Sequence, residues 1–168
     1  MNKLFHNTLY LRLQPDQLHA LHVESGRTLV EAPLLALRHD KGRRVPLAAG
    51  NEALALRGQE GIELANGFEH PRTLLADFGV AEKTLQLLLR KILPASLLQR
   101  APTVILHPQA LLEGGLTQVE IRAFAELLRG AGARQVFIWS GEELSRTDLQ
   151  TQRFPTERGT LLYPERVA

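Results

Sequence analysis

The chain has no cysteine. That absence removes a disulfide framework, a thiolate zinc site and a cysteine nucleophile together, and it agrees with a reducing cytosol. Long apolar runs are missing too. Nothing approaches the roughly 18 residues a membrane span needs, and the opening residues 1–7 show neither the apolar stretch nor the cleavage pattern of a secretory leader. A cytoplasmic protein without a transmembrane segment is therefore expected. Nor does charge of one sign dominate: 20 Lys and Arg face 18 Asp and Glu, a net charge of +2, so nucleic acid is not an expected partner. What is present is ordinary. With 168 residues, 44% hydrophobic and 23% charged, the chain suits one globular domain and neither a disordered nor a fibrous protein.

The first forty residues read as strands. Leu9, Leu11 and Leu13 alternate with Tyr10 and Arg12 over 8–13. Pro15-Asp16 signals a turn, 18–23 resumes the strand pattern, and a second turn at 24–27 leads into 28–32. Connections this short require antiparallel pairing, hence a three-strand meander. The polar, basic segment 40–44 reads as a solvated loop tip. Residues 45–49 suggest a short strand, 51–56 a short helix ending near Gly58, and 62–64 one further strand.

Two helices carry clearer marks. Residues 80–93 follow Asp77-Phe78-Gly79, place Arg90 and Lys91 in the last turn, and stop at Pro94. Their apolar positions span more than one stripe, so two sides should be covered. The second helix opens on Thr117-Gln118-Val119-Glu120, a capping-box spacing, buries Ile121, Phe124, Ala125 and Leu128, and ends at Gly130 or Gly132. An apolar strand follows each helix, at 103–107 and 135–139, which predicts parallel crossovers. The expected fold class is α/β: an antiparallel three-strand meander continuing into parallel strands with crossover helices, the order of ribonuclease-H-like folds and of each actin-like half. Residues 1–145 are expected to form that single subdomain, and 146–168, polar with Pro155 and Pro164, a loosely ordered tail with a short strand at 160–163.

Particular stretches resemble a family. Residues 75–83 (Leu-Ala-Asp-Phe-Gly-Val-Ala-Glu-Lys), 102–108, 117–123 and 130–138 are similar, in order, to the first domain of MreB, the bacterial actin-like cell-shape family. Glu31-Ala32-Pro33 and 49–53 fall in the right order between them, and the match runs over about residues 8–140. The resemblance implies half of an actin-like ATPase, with the second domain absent.

It also exposes departures. The family places an Asp-x-Gly-Thr-type turn after the first strand, where the Asp organises magnesium-bound water and glycine lets backbone N–H groups approach phosphate. The matching positions here are Arg12, Leu13, Gln14 and Pro15. Arg12 is a cation that cannot ligate magnesium, Gln14 loses the freedom of glycine, and Pro15 has no N–H to donate. The family's Glu-Glu-Pro run, which positions the attacking water, is matched by Trp139-Ser140-Gly141-Glu142-Glu143, with its carboxylates two residues late and no proline. Glu142 and Glu143 read as a surface pair starting a C-terminal helix, or else as a relocated base.

Other chemistries find no support. A two-metal nuclease needs convergent carboxylates, one on the first strand, whereas that strand carries Arg12, and Asp16 and Asp40 lack predicted partners. His19 and His22 fall on opposite strand faces, so they share no metal; His6, His39, His70 and His107 stand singly in structural or surface roles. Ser140-Gly141 is not a nucleophile elbow. Gly114-Gly115 precedes a helix N-terminus, but Thr117 should cap it, and Glu120 belongs to the same cap. No catalytic residue, metal site or cofactor is expected.

Apolar excess is the more productive clue. Leu87, Leu88 and Leu89 fan over about 200° of helix, Leu97 and Leu98 follow, and the second half and filament neighbours that the resemblance implies would cover such a surface. These five leucines are the candidate interface. The expectation is thus a non-catalytic, MreB-like single-domain protein acting by protein–protein binding, to a partner or to itself as a homodimer, in cell-shape or cytoskeletal assembly. The alternative is an ATP-binding half completed by another chain.

Overall fold

The computed structural model describes residues 6–97, 100–110 and 113–165. Its main sheet begins as the alternation predicts. Strands β1 (Thr8–Leu13), β2 (Leu18–His22) and β3 (Thr28–Glu31) form the antiparallel meander, with Leu9 opposite His22 and Arg12 opposite His19. Strand β7 (Thr103–Pro108) pairs parallel to β1, and β8 (Gln135–Gly141) parallel to β7. The six-stranded order is β3-β2-β1-β7-β8-β9, where β9 (Gly159–Tyr163) returns antiparallel on the far edge.

Helix α2 (Phe78–Ile92) starts where Asp77 accepts the Val80 N–H, and α3 (Gln118–Gly130) where Thr117 and Glu120 complete the predicted capping box. Both cover one face of the sheet. Leu9, Leu11, Leu13, Val104, Leu106, Leu85 and Phe124 form the main core there. The opposite face carries a smaller cluster of Tyr10, Val23, Ile105, Trp139, Leu144 and Leu149 beneath α4 (Arg146–Thr151). Strand β7 is buried along its whole length because it is covered on both faces.

A second sheet was only partly foreseen. Strands β4 (Leu35–Asp40), β5 (Arg43–Ala49) and β6 (Ile62–Ala65) pair antiparallel in the order β5-β4-β6. The basic segment expected as a loop is the tip of the β4–β5 hairpin. Lys41 and Gly42 take φ of 48° and 77°, the two positive values a tight two-residue turn requires. Helix α1 (Asn51–Leu54) follows, shorter than the expected span. The Glu31 carboxylate, buried at the end of β3, accepts the Asn51 N–H and a 2.6 Å bond from Lys91 of α2, tying the meander to both helices.

That second sheet revises the leucine surface. Helix α2 packs against β4 and β5 as well as β2 and α3. Leu88 and Leu89 are consequently core residues, 2% and 3% exposed, and present no interface. Leu87 is partly buried against the same core, Leu97 is half-buried in a single 3-10 turn (Ala95–Leu97), and Leu98 lies outside the described residues.

The expected loose tail is also different. Residues 146–163 contain α4 and β9, held by side chains a polar composition conceals. Phe154 packs 5.0 Å from Phe137 and 6.0 Å from Trp139, ring centre to ring centre. Asp148 caps α4 with Ser145 and receives Arg158 at 2.6 Å; the Ser145 hydroxyl chiefly, then Arg158, holds its carboxyl down at about 2. Gly141 (φ 150°) is required where β8 meets β9, since a Cβ there would run into the Arg158 carbonyl.

Candidate functional site

The ends of β1, β7 and β8 converge where the resemblance places nucleotide chemistry. Alternation along β1 sends Leu11 and Leu13 into the main core and Tyr10 and Arg12 to the opposite face. Beyond Leu13 the chain reverses within four residues. The Gln14 N–H donates to the Gln17 carbonyl at 2.9 Å and the Gln17 N–H to the Gln14 carbonyl at 3.4 Å. Pro15 has no N–H to offer. The Asn66 amide donates to the Pro15 carbonyl at 2.6 Å, and the Gln109 N–H to the Leu13 carbonyl at 2.9 Å. A phosphate cradle needs a row of free N–H groups, and this turn has closed on itself.

Arg12 has a partner 131 residues away: its Nη1 donates to Glu143 Oε2 at 3.0 Å. Glu143 and Glu142 lie in a strap between β8 and α4 rather than within the helix. The Glu142 N–H donates to the Arg158 carbonyl and the Glu142 carbonyl accepts Trp139 Nε1–H at 2.7 Å. The Arg12 guanidinium offers magnesium no ligand and already engages the carboxylate beside it, a donor set that does not fit a magnesium-bound triphosphate. The Gln14 side chain reaches across to that of Gln109, at 3.4 Å.

Behind Arg12 lies a relay that local sequence gave no sign of. The Tyr10 hydroxyl is 2.7 Å from His107 Nδ1 and accepts the Leu144 N–H at 3.3 Å. His107 Nε2–H donates to the Gly141 carbonyl at 2.9 Å, which fixes the tautomer and makes Tyr10 the donor to Nδ1. Burial lowers the His107 pKa, with Arg12 acting the same way against the Gly141 bond, and burial pushes the Tyr10 hydroxyl up to about 12. Both groups stay neutral near pH 7, so the relay locks the strap onto β1 and β7. It moves no proton.

A cleft of about 350 Å³ opens under the β1–β2 turn, lined by Pro15, Asp16, Pro33, Leu54, Arg57 and Glu69 among others. Its charges are mixed, two carboxylates and one guanidinium, where a triphosphate calls for concentrated positive charge.

The remaining candidates settle separately. His19 and His22 lie on opposite faces: His19 half-buried, His22 buried between Ser25 Oγ at 2.7 Å and Asn7 Oδ1 at 3.0 Å. His39 pairs with Glu63 at 2.8 Å, and His70 accepts the Arg72 N–H. Glu120 is held by the Thr117 N–H at 2.8 Å and the Thr73 hydroxyl at 3.2 Å, as a cap should be. Among the described residues no three His, Asp or Glu side chains gather to hold a metal ion, and no helix is long and apolar enough to cross a membrane.

No protein-family model matches the chain. Curated relatives do. The cell shape-determining protein MreB of Escherichia coli (strain K12) is 32% identical over 115 residues, 67% of this chain and 32% of that protein. The MreB of Haemophilus influenzae is 31% identical over 137 residues, 80% of this chain and 38% of that protein. Among solved structures, MreB5 of Spiroplasma citri bound to ADP superposes with a TM-score of 0.61 at 18% identity, over 80% of this chain and 38% of that one. Its AMPPNP-bound form gives 0.60 at 19%. The chain therefore carries a partial MreB-like domain with half of the actin-like α/β fold, spanning about a third of the length of the curated relatives it matches.

Proposed function

We propose that this chain acts by binding protein, in bacterial cell-shape or cytoskeletal assembly within the cytoplasm, and that it neither binds nor hydrolyses ATP. The reading rests on one observation above the others: where the resemblance calls for a magnesium-organising carboxylate, the Arg12 guanidinium stands paired with Glu143 at 3.0 Å. Pro15 and the mutual Gln14–Gln17 bonds support it by withdrawing backbone donors from the adjoining turn. The cell-shape assignment comes from the MreB likeness and is a proposal for this chain.

Thermal unfolding with and without Mg-ATP tests the non-catalytic reading. A ligand at 100 times its dissociation constant raises stability by about 2.7 kcal/mol. No shift in the midpoint at millimolar Mg-ATP is expected. A concentration-dependent rise would instead favour an ATP-binding half completed by another chain.

A further inference from the structure

The face of the meander opposite α2 and α3 is incompletely covered. Helix α4 and the strap before it cover Tyr10 and Val23, and the cover is open toward the β2–β3 turn. A groove of about 300 Å³ runs there, floored by Tyr10, Leu21 and Val23 and continued toward β3, the outermost strand. Val30, opposite His19 in the pairing, is 43% exposed beside it. The floor is thus one aromatic ring and two aliphatic side chains, of which Leu21 is the more exposed, while the charges around it are unbalanced. Arg12, His19 and Arg146 line the groove, and its one carboxylate is Glu143. Among the described residues Arg146 has no acidic partner, and Glu143 holds Arg12 with a side chain 61% exposed to solvent.

A carboxylate whose side chain stands largely in solvent is an exchangeable occupant of Arg12. A carboxylate brought in by another molecule would meet the same guanidinium, with Arg146 unopposed nearby and apolar surface underneath. We propose that this groove docks a segment of a protein partner in which an acidic side chain is flanked by aliphatic ones, the acid displacing Glu143 from Arg12. The proposal deepens the protein-binding reading and rests on Arg12 being free of any nucleotide role. Charge complementarity selects the occupant: a basic or purely apolar segment would leave Arg12 and Arg146 facing it unmatched.

The test uses the full chain, isotope-labelled, titrated with two short probes, N-acetyl-Leu-Glu-Leu-amide and its Leu-Gln-Leu counterpart, and read by amide chemical shifts. The acidic probe is expected to shift residues lining β1, β2 and the strap, and to bind about tenfold more tightly than the glutamine probe. Arg12→Gln should erase that preference, and Glu143→Gln should strengthen acidic-probe binding by removing the internal competitor. If Arg12→Gln fails to fold, Arg146→Ala must show the same loss of preference. Equal affinity for the two probes, shifts confined elsewhere, no saturable shift up to about 5 mM, or a Glu143→Gln chain that binds no better would each overturn the groove. Mg-ATP binding, by contrast, would overturn the non-catalytic reading and leave these probe comparisons to stand or fall alone.

Discussion

The guanidinium of Arg12 lies 3.0 Å from the carboxylate of Glu143, joining the end of the first strand to the strap that follows β8. The pair occupies the ground where an actin-like ATPase would need a lone acid. With side chains 24% and 61% exposed, it contributes little to stability. A double-mutant cycle with Arg12→Gln and Glu143→Gln, read by denaturant unfolding, should give a coupling of about 0.2–1 kcal/mol that shrinks as salt is added.

Three histidines contribute to the response to mild acid. Burial lowers the pKa of His22, His107 and His19, with Arg12 adding to the effect at His19. A folded-state pKa below the unfolded one means that the unfolded chain takes up protons first as pH falls. The stability these neutral imidazoles contribute is complete above the unfolded histidine value, roughly 6.5, and is lost as pH drops below it. The unfolding midpoint should therefore fall between pH 7.5 and 5. His107→Gln should reduce that slope, and an unchanged slope would contradict the buried relay.

Glu31 fastens the meander to α1 and α2. Its carboxylate accepts from the Asn51 backbone and from Lys91 at 2.6 Å, and the Glu31 bond is the main reason the Lys91 pKa is raised. Glu31→Ala leaves the Asn51 N–H without its charged acceptor and Lys91 without its principal partner. Chemical denaturation should show a loss of about 2 kcal/mol.

Thr117 caps α3 through the Glu120 N–H at 3.2 Å, and Glu120 returns the bond to the Thr117 N–H. Thr117→Ala is expected to lower stability by about 1 kcal/mol. Because the cap has no part in binding, affinity for the acidic probe should be unchanged.

Much of this architecture was legible in advance because it is written in local patterns. Alternating Leu9, Leu11 and Leu13 announced β1, and Asp77, Pro94 and Thr117 marked helix ends to within two residues. What escaped depended on contacts distant in sequence. The leucine triplet looked partly exposed because β4 and β5, whose outer residues are polar or basic, gave little sign that they would cover α2. Residues 146–163 read as a tail because one aromatic, Phe154, and one ion pair, Arg158 with Asp148, anchor a polar segment. At the site, Arg12, Gln14 and Pro15 stood out only against the MreB resemblance. Their consequences, the Glu143 partner and the closed turn, needed the fold.

The central claim is that the first turn no longer receives a nucleotide. Calorimetric titration of the full chain with Mg-ATP addresses it directly. No saturable heat is expected, meaning affinity weaker than about 1 mM. One-to-one binding at micromolar concentrations would contradict it.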